Sequence, residues 1–155
     1  MSELISIVHK PHNAPPAVGA FTRVPLREAQ LVAGYGIEGD AKGGSQKRQL
    51  NIMSAETMQK LAAEGFLTGP GQLGEEITIA GMAIDVLPVG TLLRIGEQAR
   101  VEVTEPRVGC GRFEEYQGKL RENAAGRMGV MARVIEGGMI RVGDVVSIVP
   151  SEGGI

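Results

Sequence analysis

Cys110 is the only cysteine in the chain, and its neighbours give it chemical interest. The run Thr104-Glu105-Pro106-Arg107-Val108-Gly109-Cys110-Gly111-Arg112 follows a strand-like stretch, Ala99-Arg100-Val101-Glu102-Val103. A strand end, a Gly/Pro-punctuated loop and two arginines thus surround the one soft nucleophile. Nearby guanidinium charge favours thiolate over thiol, and thiolate is the form that attacks or binds a metal. The competing reading is a small buried hydrophobe, the commonest use of a free cysteine.

Other residues capable of chemistry cluster beside glycines. Asp40, Glu75 and Glu76 are carboxylates in Gly-rich surroundings, with no sequence separation that fixes an acid/base pair. Gly34-Tyr-Gly36-Ile-Glu-Gly39 matches G-x-G-x-x-G in form, but Asp40-Ala-Lys-Gly-Gly-Ser follows it and makes a poor helix, so a dinucleotide site is not expected. Such a loop can still hold an anion on its backbone N–H groups, with Lys42, Lys47 and Arg48 beside it. His9 and His12 are the only histidines and flank Pro11, a weak metal pair. No P-loop, CxxC or nucleophile elbow is present.

Composition narrows the class. The chain has 155 residues, enough for one domain with its own core. It is 43% hydrophobic, which is globular, and its net charge of −2 argues against nucleic acid or an anionic membrane as partner. A lone cysteine excludes an internal disulfide and a cysteine-based structural zinc site. The N-terminus lacks a basic, apolar leader pattern and no run reaches bilayer length, so a soluble cytoplasmic protein is the expectation. The 23 glycines punctuate short β-branched runs, and aromatics make up only 3%.

Those runs predict the elements that must position the chemistry. Strands are expected at Leu4–Val8, Val24–Val32, Arg48–Met53 (half-buried, from its alternation), Glu76–Ile79 and Asp144–Val149. Hairpins are expected at Leu92–Thr104 and at Val130–Val142, the second turning at Gly137-Gly138. Pro11, Pro15 and Pro16 mark a loop. Ser54 is a plausible N-cap for a helix with Glu56 in its first turn and Gly65 as its stop. Phe113–Ala125 has helical charge spacing interrupted by Gly118. Val89–Ile95 and Val142–Ile148 resemble each other, as two similar strand entries. The fold expected is mainly β, a closed or nearly closed barrel with one or two short helices.

Four segments, in order, resemble the MOSC domain, named for the C-terminal part of molybdenum cofactor sulfurases. They are Gly36-Ile-Glu-Gly-Asp40 with Gly43-Gly44 and Arg48-Gln49; Leu73-Gly-Glu-Glu76; Thr104-Glu-Pro-Arg107 with Cys110; and Gly129–Val134 with Gly137-Gly138 and Val142-Gly-Asp144. The chain, 1–155, reads as a single short stand-alone MOSC domain without the pyridoxal-phosphate part of the sulfurases. The resemblance implies a barrel of the pyruvate-kinase-barrel type and the molybdenum cofactor (molybdopterin), with Cys110 as metal ligand. Lys42, Arg48, Arg107, Arg112, Gly43 and Gly44 become candidate contacts to that cofactor, and Asp40 and Glu75 candidate hydrogen-bonding or proton-relay groups. It further implies reduction of N-hydroxylated small molecules with electrons from a separate redox partner. The alternatives are a sulfur carrier holding a persulfide on Cys110 and exchanging it with a donor or acceptor protein, or a binding barrel without cofactor. Two positions depart from the family pattern: Lys42 stands where His is common, and Gly109 where Pro often precedes the cysteine. Oligomeric state is not legible.

Overall fold

The computed structural model describes residues 2–12 and 23–150. Its main sheet closes on itself. β1 (Ser2–His9) pairs on one side with β11 (Val145–Val149) and on the other with β6 (Ile77–Ala80). Between those two run β7 (Leu92–Ile95), β8 (Ala99–Pro106), β9 (Val130–Glu136) and β5 (Leu50–Ser54), giving a closed seven-stranded barrel. Closure leaves no bare edge except where β2 (Val24–Leu26) adds outside β1. A small second sheet, β10 (Gly138–Arg141)–β3 (Glu28–Val32)–β4 (Gly36–Ile37), lies beside it.

The barrel interior is aliphatic. Leu4, Ile7, Leu50, Ile52, Ile77, Ile79, Leu93, Ile95 and Val101 are buried in one cluster. Their alternation along the strands follows from the two-residue period of the pleat. The parallel pairing of β5 with β6 needs a crossover, and α1 (Ala55–Ala63) provides it. Ser54 caps α1 as expected, its Oγ accepting from the Thr57 amide at 3.3 Å. Because α1 and the segments after it cover the outer face of β5, Met53 is also buried. The strand is therefore covered on both faces, not half-exposed as its alternation predicted.

A second, smaller core lies outside the barrel. Met53, Met58, Leu61, Phe66, Leu73, Phe113, Ala124 and Met128 form it. It seats α2 (Gly111–Gln117), which ends at Gly118 in the left-handed conformation. A separate 3-10 turn, Arg121–Ala124, follows, so Phe113–Ala125 is two pieces, as Gly118 foreshadowed.

Two expectations need correction. The Val24–Val32 run breaks into β2 and β3, which join different sheets. The Val130–Val142 hairpin does not form: β9 pairs with β8 and β5, whereas β10 leaves the barrel and pairs with β3. Gly137 serves close approach here, since a Cβ on it would lie 2.5 Å from the Leu31 carbonyl oxygen. The similar segments ending at Ile95 and Ile148 become neighbouring antiparallel strands, β7 and β11. The expected loop at Pro15 and Pro16 lies outside the described residues.

Candidate functional site

β8 ends at Pro106, and the next residues carry Arg107 to the end of that strand beside Gly74 and Cys110 to the start of α2. Cys110 is the N-cap residue of α2 and is exposed. Its position is fixed from behind. Phe113 packs against Phe66, with ring centroids 6.0 Å apart. The buried Gln117 amide donates to the Leu67 and Gln72 carbonyls at 2.9 and 3.0 Å and accepts from the Leu67 amide at 2.7 Å. The thiol itself completes no capping hydrogen bond. Even so, its pKa lies below that of an ordinary thiol. The Phe113 amide lowers it most; the Arg112 amide and the charges of Arg107 and Arg121 add to this, and partial burial opposes. That environment favours thiolate.

Arg107 links the cysteine to buried acid. Its amide donates to the Gly129 carbonyl at 3.1 Å, and its guanidinium lies over Gly74, where a Cβ would come within 2.5 Å of Nη2. Gly74 also holds a φ of +82°, so the turn before β6 requires glycine on two counts. Burial lowers the Arg107 pKa, and the charges of Glu76 and Glu75 oppose that.

Both acids of that turn are inside, with 1% of Glu75 and 2% of Glu76 exposed. Glu75 folds back on its own loop, accepting from the Gly71 amide at 2.7 Å and the Leu73 amide at 3.1 Å. Burial raises its pKa, and those amides and Arg107 restrain the rise. Glu76 faces the other way. It accepts from the Asn51 amide at 2.6 Å and from Arg23 Nη1 at 2.7 Å. Burial pushes its pKa up to about 7 despite Arg23, and the nearby Asp40 charge pushes the same way.

Asp40 is fully buried and forms a bridge with Pro11. Its Oδ1 accepts from the Lys10 amide at 3.0 Å and the Lys42 amide at 3.2 Å. Among the described residues its Oδ2 has no partner; nor do Asn51 Oδ1 and His9 Nδ1. Buried polar atoms are normally satisfied, so unpartnered acceptors near one cluster call for an explanation. Lys42 lies at the rim, its pKa lowered by burial and by Lys10, Arg23 and Arg112, with Glu76 opposing.

The structure thus brings Cys110, Arg107, Glu75, Asp40, Lys42 and Arg112 into one electrostatic neighbourhood. Arg48 is apart from it: its side chain is 63% exposed and sits 3.9 Å from Glu105. Gly43 and Gly44 wrap the Tyr35 ring, and their amides donate to the carbonyls of Asp40 and Tyr35. They shape the loop, and those two N–H groups are not turned toward an anion as the sequence suggested. Three site residues escaped the sequence reading. Arg23 and Arg121 reach the cluster only through tertiary contacts. Glu76 was noted beside Glu75 but not assigned a role; its place at the start of a buried strand was the available signal. Among the described residues, no group of three or more His, Cys, Asp or Glu is placed to hold a metal by itself. Among the described residues, no helix is long and apolar enough to cross a membrane.

The family model of the MOSC domain matches residues 39–147. The chain belongs to the MOSC domain family. No curated protein matches this MOSC domain. Solved structures share its fold. YuaD from Bacillus subtilis superposes with a TM-score of 0.73 at 18% identity, over 94% of each chain. YiiM from Geobacillus stearothermophilus gives 0.74 at 19% identity, over 99% of this MOSC domain and 78% of that chain. YiiM from Escherichia coli gives 0.66 at 20% identity, over 94% and 70%.

Proposed function

We propose that this MOSC domain binds the molybdenum cofactor at the barrel mouth, with Cys110 as thiolate ligand of the metal. MOSC domains are associated with that cofactor in general, and the residues present fit its parts. A thiolate-favouring cysteine suits a thiophilic metal. The unpartnered Asp40 Oδ2 and Asn51 Oδ1 are acceptors that match the N–H edge of a pterin. The cations Lys42, Arg107 and Arg112 suit its phosphate. The observation that carries the reading is the convergence of an exposed thiol of lowered pKa and buried acceptors, unpartnered among the described residues, on one set of cations.

When bound, the group would supply a metal centre able to exchange a pair of electrons with a substrate. The chain's own part is to hold and to protonate. The Arg107 charge adds to the Phe113 and Arg112 amides in lowering the Cys110 pKa, and it restrains the burial-driven rise at Glu75. Burial makes Glu75 and Glu76 both easier to protonate than ordinary carboxylates, and it pushes the Glu76 pKa up to about 7. Reduction of an N-hydroxylated small molecule to the amine and water consumes two electrons and two protons. The electrons must come from a separate redox partner. Turnover of a hydroxylamino-purine with a reductase by wild type confirmed to hold cofactor, absent in Cys110→Ala, supports this; a Cys110-independent rate contradicts it.

The exposure of Cys110 favours a second reading, a sulfur carrier. Incubation with a cysteine desulfurase then gives a mass gain of about 32 Da, one sulfur atom, on Cys110. Persulfide without metal selects this reading over the first. Neither metal nor persulfide leaves a binding barrel without cofactor.

A further inference from the structure

We propose that the 3-10 turn Arg121–Ala124 is the positioning element for Cys110, with Arg121 as the positioning residue that holds the cysteine in place through Gly109. The inference rests on the reading that Cys110 is the working group, which the cofactor and sulfur-carrier readings share, and it adds the residues that keep that group still.

The contacts lie on both sides of the cysteine. On its N-terminal side, the turn packs closely on Gly109. A Cβ there would lie 2.9 Å from Arg121 Cβ and 3.7 Å from Arg121 Cα. On its C-terminal side, Glu114 in the first turn of α2 grips the same arginine. One carboxylate oxygen accepts from the Arg121 amide at 2.8 Å and from its Nε at 3.0 Å, and the other accepts from Nη2 at 3.4 Å. The Glu114 amide donates to the Cys110 carbonyl at 3.1 Å. Arg121 thus joins the residue before Cys110 to the helix after it.

The turn is fastened at points away from the cysteine. Ala124 is fully buried in the outer core. Arg127 donates to the Asn123 carbonyl and pairs with Glu64, the residue that closes α1, at 2.5 and 2.8 Å. A lone exposed ion pair contributes little, but the Arg121 pair includes a backbone amide and sits on an anchored turn. This arrangement accounts for the departure at position 109. Proline would stiffen the backbone there, but its Cβ would meet Arg121. Glycine lets the turn close on the loop, and packing supplies the restraint instead. Contacts that orient a ligand in this way commonly carry about ten- to a hundredfold in metal affinity.

Cys110 is the only cysteine and is exposed, so a nitroxide label goes to it alone. Electron paramagnetic resonance of the labelled native protein reads how freely that residue moves. Gly109→Ala and Gly111→Ala make the same change on either side of the cysteine, and a Cβ on Gly111 meets nothing within 4 Å. Gly109→Ala should shorten the correlation time of the label by about twofold or more, as nanosecond motion of the loop is released. Gly111→Ala should leave it unchanged. Arg121→Lys keeps the charge but loses the fork, so it should free the label in the same direction. It carries the test should Gly109→Ala not fold. Arg121→Gly removes the Cβ that blocks position 109, so adding Gly109→Ala to it should have no further effect. A wild-type label as mobile as that of Gly109→Ala, equal effects of the two alanines, no change in Arg121→Lys, or a Gly109→Ala effect that survives in Arg121→Gly each overturns the proposal. Molybdenum and persulfide content of the unlabelled protein report separately on the two readings of Cys110, so those can fail while the positioning stands.

Discussion

The barrel interior and the layer outside it are built to different rules. Inside, β-branched and leucine side chains from every barrel strand interlock, with no charge among them. Outside, three methionines and two phenylalanines fill a smaller core beneath the turn that carries Glu75 and the helix that begins at Cys110. Methionine is adaptable filler. The fold thus has two packed layers: a closed aliphatic sheet supplies the frame, and a methionine- and phenylalanine-filled layer seats the candidate site groups. Glu75, Glu76 and Asp40 are buried beside that candidate site.

That contrast can be broken at several points. The largest effect is expected in the frame. Ile95→Ala, at a fully buried position on β7, should lower stability by about 2–5 kcal/mol in denaturant unfolding. Alkylation of Cys110 in the native state should still show wild-type pH dependence, because β7 does not touch the site. A shifted thiol titration would show that the two regions are not separate.

Next comes the boundary. The Glu76 pKa is higher in the folded state, about 7, than its ordinary value of 4.5. The folded protein therefore holds more protons than the unfolded chain between those values. Glu76's contribution to stability is fully present below about 4.5 and is lost as pH rises through about 7. The loss is at most about 3–4 kcal/mol. Glu76→Gln should remove that segment of the stability–pH curve, which urea midpoints across pH will show.

Smaller again is the soft layer. Phe113→Leu should cost about 1 kcal/mol. It should also move the Cys110 alkylation titration upward, because the Phe113 amide is the largest influence favouring thiolate. Stability lost without any change at the thiol would mean that the layer does not position the cysteine. The least effect is expected from Arg48→Ala. Its ion pair with Glu105 is exposed and long, so stability should change by less than about 0.5 kcal/mol and metal content not at all.

How much of this could be read in the sequence follows the same division. The frame was legible because its signals are local: pleat alternation, the Ser54 cap, the Gly65 stop and the turn after Ile95. It misled where one pattern has two uses. Gly137-Gly138 looks like a hairpin turn, but glycine there lets β10 leave the barrel and pass against the Leu31 backbone. The site was legible only where a motif is contiguous. Cys110 with Arg107, and Asp40, were singled out as candidates for that reason. Arg23 was not, because its partner Glu76 is distant in sequence and the pairing exists only once β1, β2 and β6 lie side by side. Glu75 and Glu76 could not be told apart, since pleat alternation alone would expose one of them. The amides of Gly71 and Leu73 turn Glu75 inward instead.

The central claim is that Cys110 holds a metal at the mouth of this barrel. Molybdenum per chain, by plasma mass spectrometry on protein purified anaerobically from molybdate-fed cells that make the cofactor, tests it most directly. Near-stoichiometric metal in wild type that vanishes in Cys110→Ala is the expected result. Equal metal in both, or none in either, would contradict the account.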